Sequence, residues 1–157
     1  PTLSTMIEKE DNHFLEANIK GLMMTLLGQW NKEMDQGRDN TEFADIRPSD
    51  MRVFGQIRGK PTRLADLHRA LGCSRQAAQQ AVDRLVAHGV LRVHLANGSK
   101  RDKVVSVTGK GQKLRALAAR QIREIEDKCM TAIGAVGTER LRQYLAELVK
   151  DTDHLSP

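Results

Sequence analysis

The chain has 157 residues, 39% of them hydrophobic, and 25 lysines and arginines against 20 acids give a formal charge of +5. That apolar content suffices for one sizeable core or two small lobes and excludes a disordered chain, while two cysteines in no paired or metal-like spacing exclude a disulfide scaffold and suit a reducing compartment. There is no run of about eighteen apolar residues and no basic-then-apolar leader, so a cytoplasmic protein without membrane association is expected.

In chain order, Leu15, Ile19, Leu22, Leu26, Trp30 and Met34, with Met23 and Leu27 beside them, recur at three- and four-residue spacing. They predict one long amphipathic helix from about Thr5 to Gln36, with Thr5 and Glu8 able to form its capping box. Its apolar face exceeds what one small domain needs and suggests a partner. The segment Gly37–Arg47 is polar and aperiodic, a loop. Pro48 suits the first turn of a second helix bearing Met51, Phe54 and Ile57, which Gly59 and Pro61 stop. A third helix follows from Thr62, with Leu64, Leu67, His68 and Leu71 inward, and Gly72 permits a sharp turn.

Ser74 is placed to cap a fourth helix, whose buried stripe is Ala78, Ala81, Val82 and Leu85. Its opposite face carries Gln76, Gln80 and Asp83, flanked by Gln79, with Arg75 and Arg84 at the margins. After His88 and Gly89, Leu91–Leu95 and Lys103–Val107 alternate with period two around Asn97-Gly98, predicting a hairpin. Thr108 reads as the cap of a long helix reaching Ile133, with Leu114, Leu117, Ile122 (or Gln121), Ile125 and Cys129 on its track. Gly134 to Gly137 breaks it, and Thr138 opens a last helix with Leu141, Tyr144, Leu145, Leu148 and Val149. The expected fold is mainly α with a small β-hairpin, in the order α-α-α-α-β-β-α-α.

Charge is spread unevenly along these elements. Residues 47–110 hold 13 bases and four acids, a net +9, between flanks that sum to −4. Such asymmetry points to a polyanion, and an aromatic content of 3% supplies no stacking platform for single strands, so duplex DNA is the expected partner. Glutamine can pair bidentately with adenine and arginine with guanine, which makes Arg75, Gln76, Gln79, Gln80 and Arg84, behind the capping Ser74, apt readers of a major groove. Lys100, Arg101 and Lys103 at the hairpin tip are placed for phosphate or the minor groove, with Asp102 expected to brace Arg101 or Lys103. A merely soluble polar face would explain the amides alone; joined to the turn, the basic hairpin and the local +9, base reading is the stronger account.

These elements resemble the MarR (multiple antibiotic resistance regulator) family of winged helix-turn-helix transcription factors. The resemblance rests on Gly72-Cys73-Ser74, Asp83-Arg84-Leu85, Gly89-Val90-Leu91, the Lys100-Arg101 pair and Val107-Thr108-Gly109-Lys110-Gly111. Two departures are Ser99, where the family usually has the aspartate of its wing signature, and Arg47, where a capping Thr or Ser commonly precedes the proline. The resemblance implies a dimerisation helix and linker over 1–46, a winged-helix lobe over 47–108 and dimerisation helices over 109–157. It also implies a homodimer on a pseudo-palindromic operator, with half-sites about 34–36 Å apart, acting as a ligand-responsive repressor. A phenolic or lipophilic effector would lie between arms and lobe, where Trp30, Met34, Met51, Arg52 and Phe54 are the expected lining.

Cys73, beside a helix N-terminus, is either a redox sensor or, more commonly at such a turn, a small buried apolar residue. No phosphate loop, GxSxG elbow or HExxH occurs and the five histidines have no ligand spacing, so neither enzymatic activity nor a metal or cofactor is expected. The alternative function is a winged-helix module docking an acidic protein.

Overall fold

A computed structural model describes residues 3–153, with side chains described from 9 to 152. The chain forms two compact units, Pro1–Asp45 and Ile46–Pro157.

The first unit contains α1 (Leu3–Ala17) and α2 (Ile19–Gly37) where the periodicity predicted one helix. The break is Asn18, whose backbone is extended (φ −78°, ψ 160°). Its Oδ1 accepts from Gly21 N–H at 2.8 Å, while its Nδ2 donates to the carbonyls of Phe14 and Leu15, both at 3.0 Å. One short amide thus caps the end of α1 and the start of α2, the competition with helical bonding that Asn offers locally. Thr5 and Glu8 fall inside α1, not at its start, and their side chains lie outside the described residues. The loop after α2 is less polar in practice than in composition, since Phe43 is buried and Arg38 is buried in an ion pair with Asp35 at 2.6 Å.

The second unit is built from α3 (Pro48–Gln56), β1 (Thr62–Arg63), α4 (Leu64–Leu71), α5 (Arg75–Ala87), β2 (Leu91–Leu95), β3 (Lys103–Val107) and α6 (Gly109–Asp153). Strands β2 and β3 have the bounds that alternation predicted. The third helix starts two residues later than expected, because Thr62 and Arg63 form a short strand, paired antiparallel with Val105 and Val104 in a sheet of order β1-β3-β2. The core joins Phe54 and Ile57, Leu67, the whole predicted α5 stripe (Ala78, Ala81, Val82, Leu85), Val90, Leu91, Val105 and Leu114, all buried.

The junction of α5, the sheet and α6 is closed by backbone. Gly89 has φ +78°, the left-handed conformation that ends a helix with least strain in glycine, and Val90 N–H returns to the Leu85 carbonyl at 3.2 Å. Thr108 donates its N–H to the Val90 carbonyl at 3.2 Å and its hydroxyl to the Gly89 carbonyl at 2.5 Å, and accepts from Gly111 N–H at 3.0 Å as the cap of α6. Gly111 then lies so close to β2 that a Cβ there would meet the Val90 carbonyl oxygen at 2.1 Å.

Helix α6 is a hairpin of two arms. Gly134 stands at φ 79°, ψ 164°, a region open essentially to glycine alone. Arg142 then reaches Glu126 with two bonds of 2.8 Å, although sixteen positions of straight helix would separate them by about 24 Å. The break is Gly134 itself; Thr138 lies within the second arm, its hydroxyl bonded back to the Gly134 carbonyl at 2.8 Å, and does not open the helix.

Two predictions follow from these contacts. Gly111→Ala forces backbone against Cβ and should lower unfolding free energy by about 1–3 kcal/mol or more, whereas Gly55→Ala, on α3 with nothing within 4 Å, should gain up to about 1 kcal/mol; denaturant titration measures both. The hydrogen bonds from Arg142 hold Glu126 below the usual carboxylate range. A lowered folded-state value means the pair's contribution is present above the ordinary carboxylate pKa and is lost as pH falls through the folded value. Glu126→Gln should therefore unfold at a lower temperature than the parent near neutrality, with the gap closing as pH falls to about 3.

Candidate nucleic-acid interface

A tight helix-turn-helix positions α5. Gly72 takes φ 65°, Cys73 N–H bonds the His68 carbonyl at 3.1 Å, and Ser74, extended, accepts from Ala77 N–H at 3.1 Å to cap α5. With the alanine, valine and leucine stripe committed to the core, the remaining face is polar. Ser74, Arg75, Gln76, Gln79 and Gln80 are all exposed there, as are Lys100, Arg101 and Lys103 on the wing. Arg75, Lys100, Arg101 and Lys103 make no ion pair among the described residues. Their cationic heads stand in solvent, available to a polyanion.

Two predicted readers have intramolecular partners instead. Arg84 donates from Nε and Nη2 to both oxygens of Asp50, each at 2.9 Å, and Asp50 is 1% exposed. These bonds, together with Asp50's charge and against some desolvation, raise Arg84 above the ordinary arginine range. Arg84 thus has a structural role: a planar fork matching a carboxylate fixes α5 on α3. The start of α3 has Arg47 without a side-chain capping bond and Pro48 in the first turn. The second case is Gln79, whose Nε2 donates to Asp83 Oδ1 at 2.8 Å one turn along α5.

The wing is ordered without the usual aspartate. Among the described residues no position other than glycine has positive φ, so Asn97-Gly98 cannot form the two-residue turn that needs it at both places. Instead Ala96 N–H bonds the Asp102 carbonyl at 2.7 Å and Ser99 N–H the Ala96 carbonyl at 3.0 Å, closing a longer loop. The Ser99 hydroxyl accepts from Arg101 N–H at 3.2 Å and Asp102 N–H at 2.9 Å, doing with a neutral oxygen what a carboxylate would do. Asp102 braces neither of its neighbours; its carboxylate takes Arg63 Nη2 of β1 at 2.6 Å. The wing tip's only acid is thus neutralised from the adjoining strand, leaving Lys100, Arg101 and Lys103 unopposed.

The residues of the expected effector lining are divided between the two units. Phe54 is 3% exposed, a core residue, and cannot line an open pocket. Trp30 and Met34 stand half-buried on α2 of the first unit, Met51 and exposed Arg52 on α3 of the second. Cavities lie along α1, against Lys9, Glu10, His13, Phe14 and Ala17, and at the α1–α2 break, against Phe14, Ile19 and Met24. Cys73 and Cys129 are free and half-buried, and no group of described residues forms a metal cluster. Among the described residues no helix is long and apolar enough to cross a membrane.

No sequence-family model and no curated protein matches the chain. Solved structures do. It is similar to apo MarR from E. coli, at 16% identity and TM-score 0.66 over 84% of this chain and 96% of that one. It is similar to Streptococcus pneumoniae FabT in complex with DNA, at 14% and 0.71 over 88% and 97%. It is also similar to a MarR transcriptional regulator from Methanosarcina mazei Go1, at 13% and 0.74 over 88% and 98%. The fold is the MarR-type winged helix, mainly helical with a three-stranded antiparallel sheet.

If Arg84 holds α5 in place, Arg84→Lys keeps the charge and loses the fork, so it should lower the unfolding midpoint. Arg84→Ala strands a buried carboxylate and should unfold more readily still, while the double variant Asp50→Leu/Arg84→Ala should regain part of the loss. Denaturant midpoints of the three rank them; equal midpoints would return Arg84 to the surface.

Proposed function

We propose that this chain is a sequence-specific, double-stranded-DNA-binding transcriptional regulator that works as a homodimer on a pseudo-palindromic operator. The observation that carries the reading is the pairing of an exposed face of guanidinium and amide groups on α5 with a wing whose cations make no ion pair among the described residues. Folding gains nothing from either, whereas a duplex offers base edges to the first and phosphates to the second. The fold supports it, since similar structures are transcriptional regulators and that of FabT is a complex with DNA.

A second copy of the chain accounts for the apolar arms. Phe14 and Ile19 are 68% and 72% exposed, and Val136 and Tyr144 of α6 are 67% and 62% exposed, within longer stripes of Leu, Met and Ile. Faces of this extent on a lone chain mark a protein–protein surface. Two-fold pairing would present two α5 helices to half-sites about one helical turn apart. A small apolar or phenolic effector that altered their separation would weaken binding to a rigid operator, which is the sense in which the protein is a ligand-responsive repressor.

Selection of duplexes from a random pool, with molar mass measured by light scattering, tests this reading. A dimer should recover a site of two inverted half-sites, with affinity falling steeply as salt rises. Gln80→Ala should lower discrimination at one base position by about fivefold or more, and Arg101→Ala should weaken all sequences alike and reduce the salt slope by about one. A monomer, or a protein that binds no duplex at low salt, refutes it; binding to an acidic protein without competition by DNA would favour a protein-docking module.

A further inference from the structure

We infer that Asp83 is a specificity-determining residue of α5: by holding the Gln79 carboxamide it turns the middle of this helix into a surface of hydrogen-bond acceptors, selecting base pairs that offer an exocyclic amino group, adenine or cytosine. The inference rests on the duplex-reading function proposed above.

Gln79 and Asp83 are one helical turn apart and both exposed, with Nε2 donating to Oδ1 at 2.8 Å. A carboxylate only accepts, so the amide must present its NH2 group to it; rotation by half a turn would lose the bond and set two oxygens against each other. The Gln79 carboxamide is therefore oriented before any DNA arrives, with Oε1 directed away from Asp83. An unconstrained glutamine would use donor and acceptor interchangeably. With one amide proton committed, the outward functions of the pair are Oε1 and the second carboxylate oxygen, alongside a single remaining amide proton.

In the major groove, guanine presents two acceptors and thymine one, whereas adenine N6 and cytosine N4 are donors. Acceptors on the protein face therefore match adenine or cytosine and oppose guanine or thymine. The charges of neighbouring acids sharpen the point. Asp50 and Asp102 are each matched by an arginine, but Asp83, on the face opposite the core, is bonded to a neutral amide and makes no ion pair among the described residues. A carboxylate there weakens attraction to any phosphate, a cost to general affinity that buys discrimination between partners.

The test uses the full chain and two variants, Asp83→Ala and Asp83→Asn, with base preferences from a random duplex pool and affinity for a random duplex at low salt. The parent should prefer adenine or cytosine at one position of each half-site. Asp83→Ala should bind random duplex more tightly and reduce that preference by about fivefold or more. Asp83→Asn, which drops the charge but can still accept the amide proton, should also bind random duplex more tightly while retaining the preference. The inference is overturned if Asp83→Ala leaves the preference unchanged or weakens all sequences equally, or if Asp83→Asn binds random duplex no more tightly than the parent. A parent that binds no duplex at all would overturn the proposed function with it; a parent that binds with unaltered variants overturns this inference alone.

Discussion

Four elements of the lobe meet at one pair of carbonyls. The Gly89 and Val90 oxygens receive the hydroxyl and N–H of Thr108, Val90 N–H closes the end of α5, and Gly111 brings the first turn of α6 against the same Val90 oxygen. The end of α5, both strands of the wing and the root of the long C-terminal arm are thereby set by contacts within two residues of each other. Every hydrogen-bonding group in this knot is backbone except one hydroxyl, so its geometry depends on a single rotamer, that of Thr108. Only glycine at 111 lets the two chains approach this closely, and only a residue tolerant of positive φ at 89 lets α5 stop where the strand must begin.

Around that fixed centre, charge is sorted by function. Asp50 is buried, and its two bonds to Arg84 satisfy a group that would otherwise be costly to bury. The Arg63–Asp102 pair is different: both side chains are at least half exposed, so it adds little to stability. Its effect is positional, tying the base of the wing loop to the edge strand and offsetting the charge of the acid at the wing tip. Two arginines are thus withdrawn from the basic surface to neutralise two acids, while Arg75 on α5 and Lys100, Arg101 and Lys103 on the wing make no ion pair among the described residues.

Local features were readable from the amino-acid order because local physics determines them. The four-residue stripe of α5, the Ser74 and Thr108 caps and the bounds of both wing strands each follow from periodicity or from a single side chain beside a helix start. Asn18 escaped because the apolar period runs through it undisturbed; the break is a matter of one amide bonding in both directions. Strand β1 has two residues, too few for alternation to register. The Arg84–Asp50 and Arg63–Asp102 pairs were not foreseen because their partners lie 34 and 39 positions apart, a separation over which composition carries no information. The structure therefore narrows the set of exposed cations without moving the face on which they stand.

That face is polar and basic, whereas the long helices expose leucine, methionine, isoleucine and tyrosine along much of their length. The two kinds of surface make opposite demands, one on a charged, hydrated ligand and one on an apolar partner, and the chain separates them by breaking its arms. Gly134 folds α6 into two antiparallel arms pinned by Arg142 to Glu126, so the apolar residues of both arms belong to one short hairpin and not to a single rod about 67 Å long. Compacting the arms in this way keeps their apolar faces close to the lobe's α6 root. The root of that hairpin and the end of α5 share the Thr108–Gly111 junction, where the Gly89 and Val90 carbonyls meet the first turn of α6.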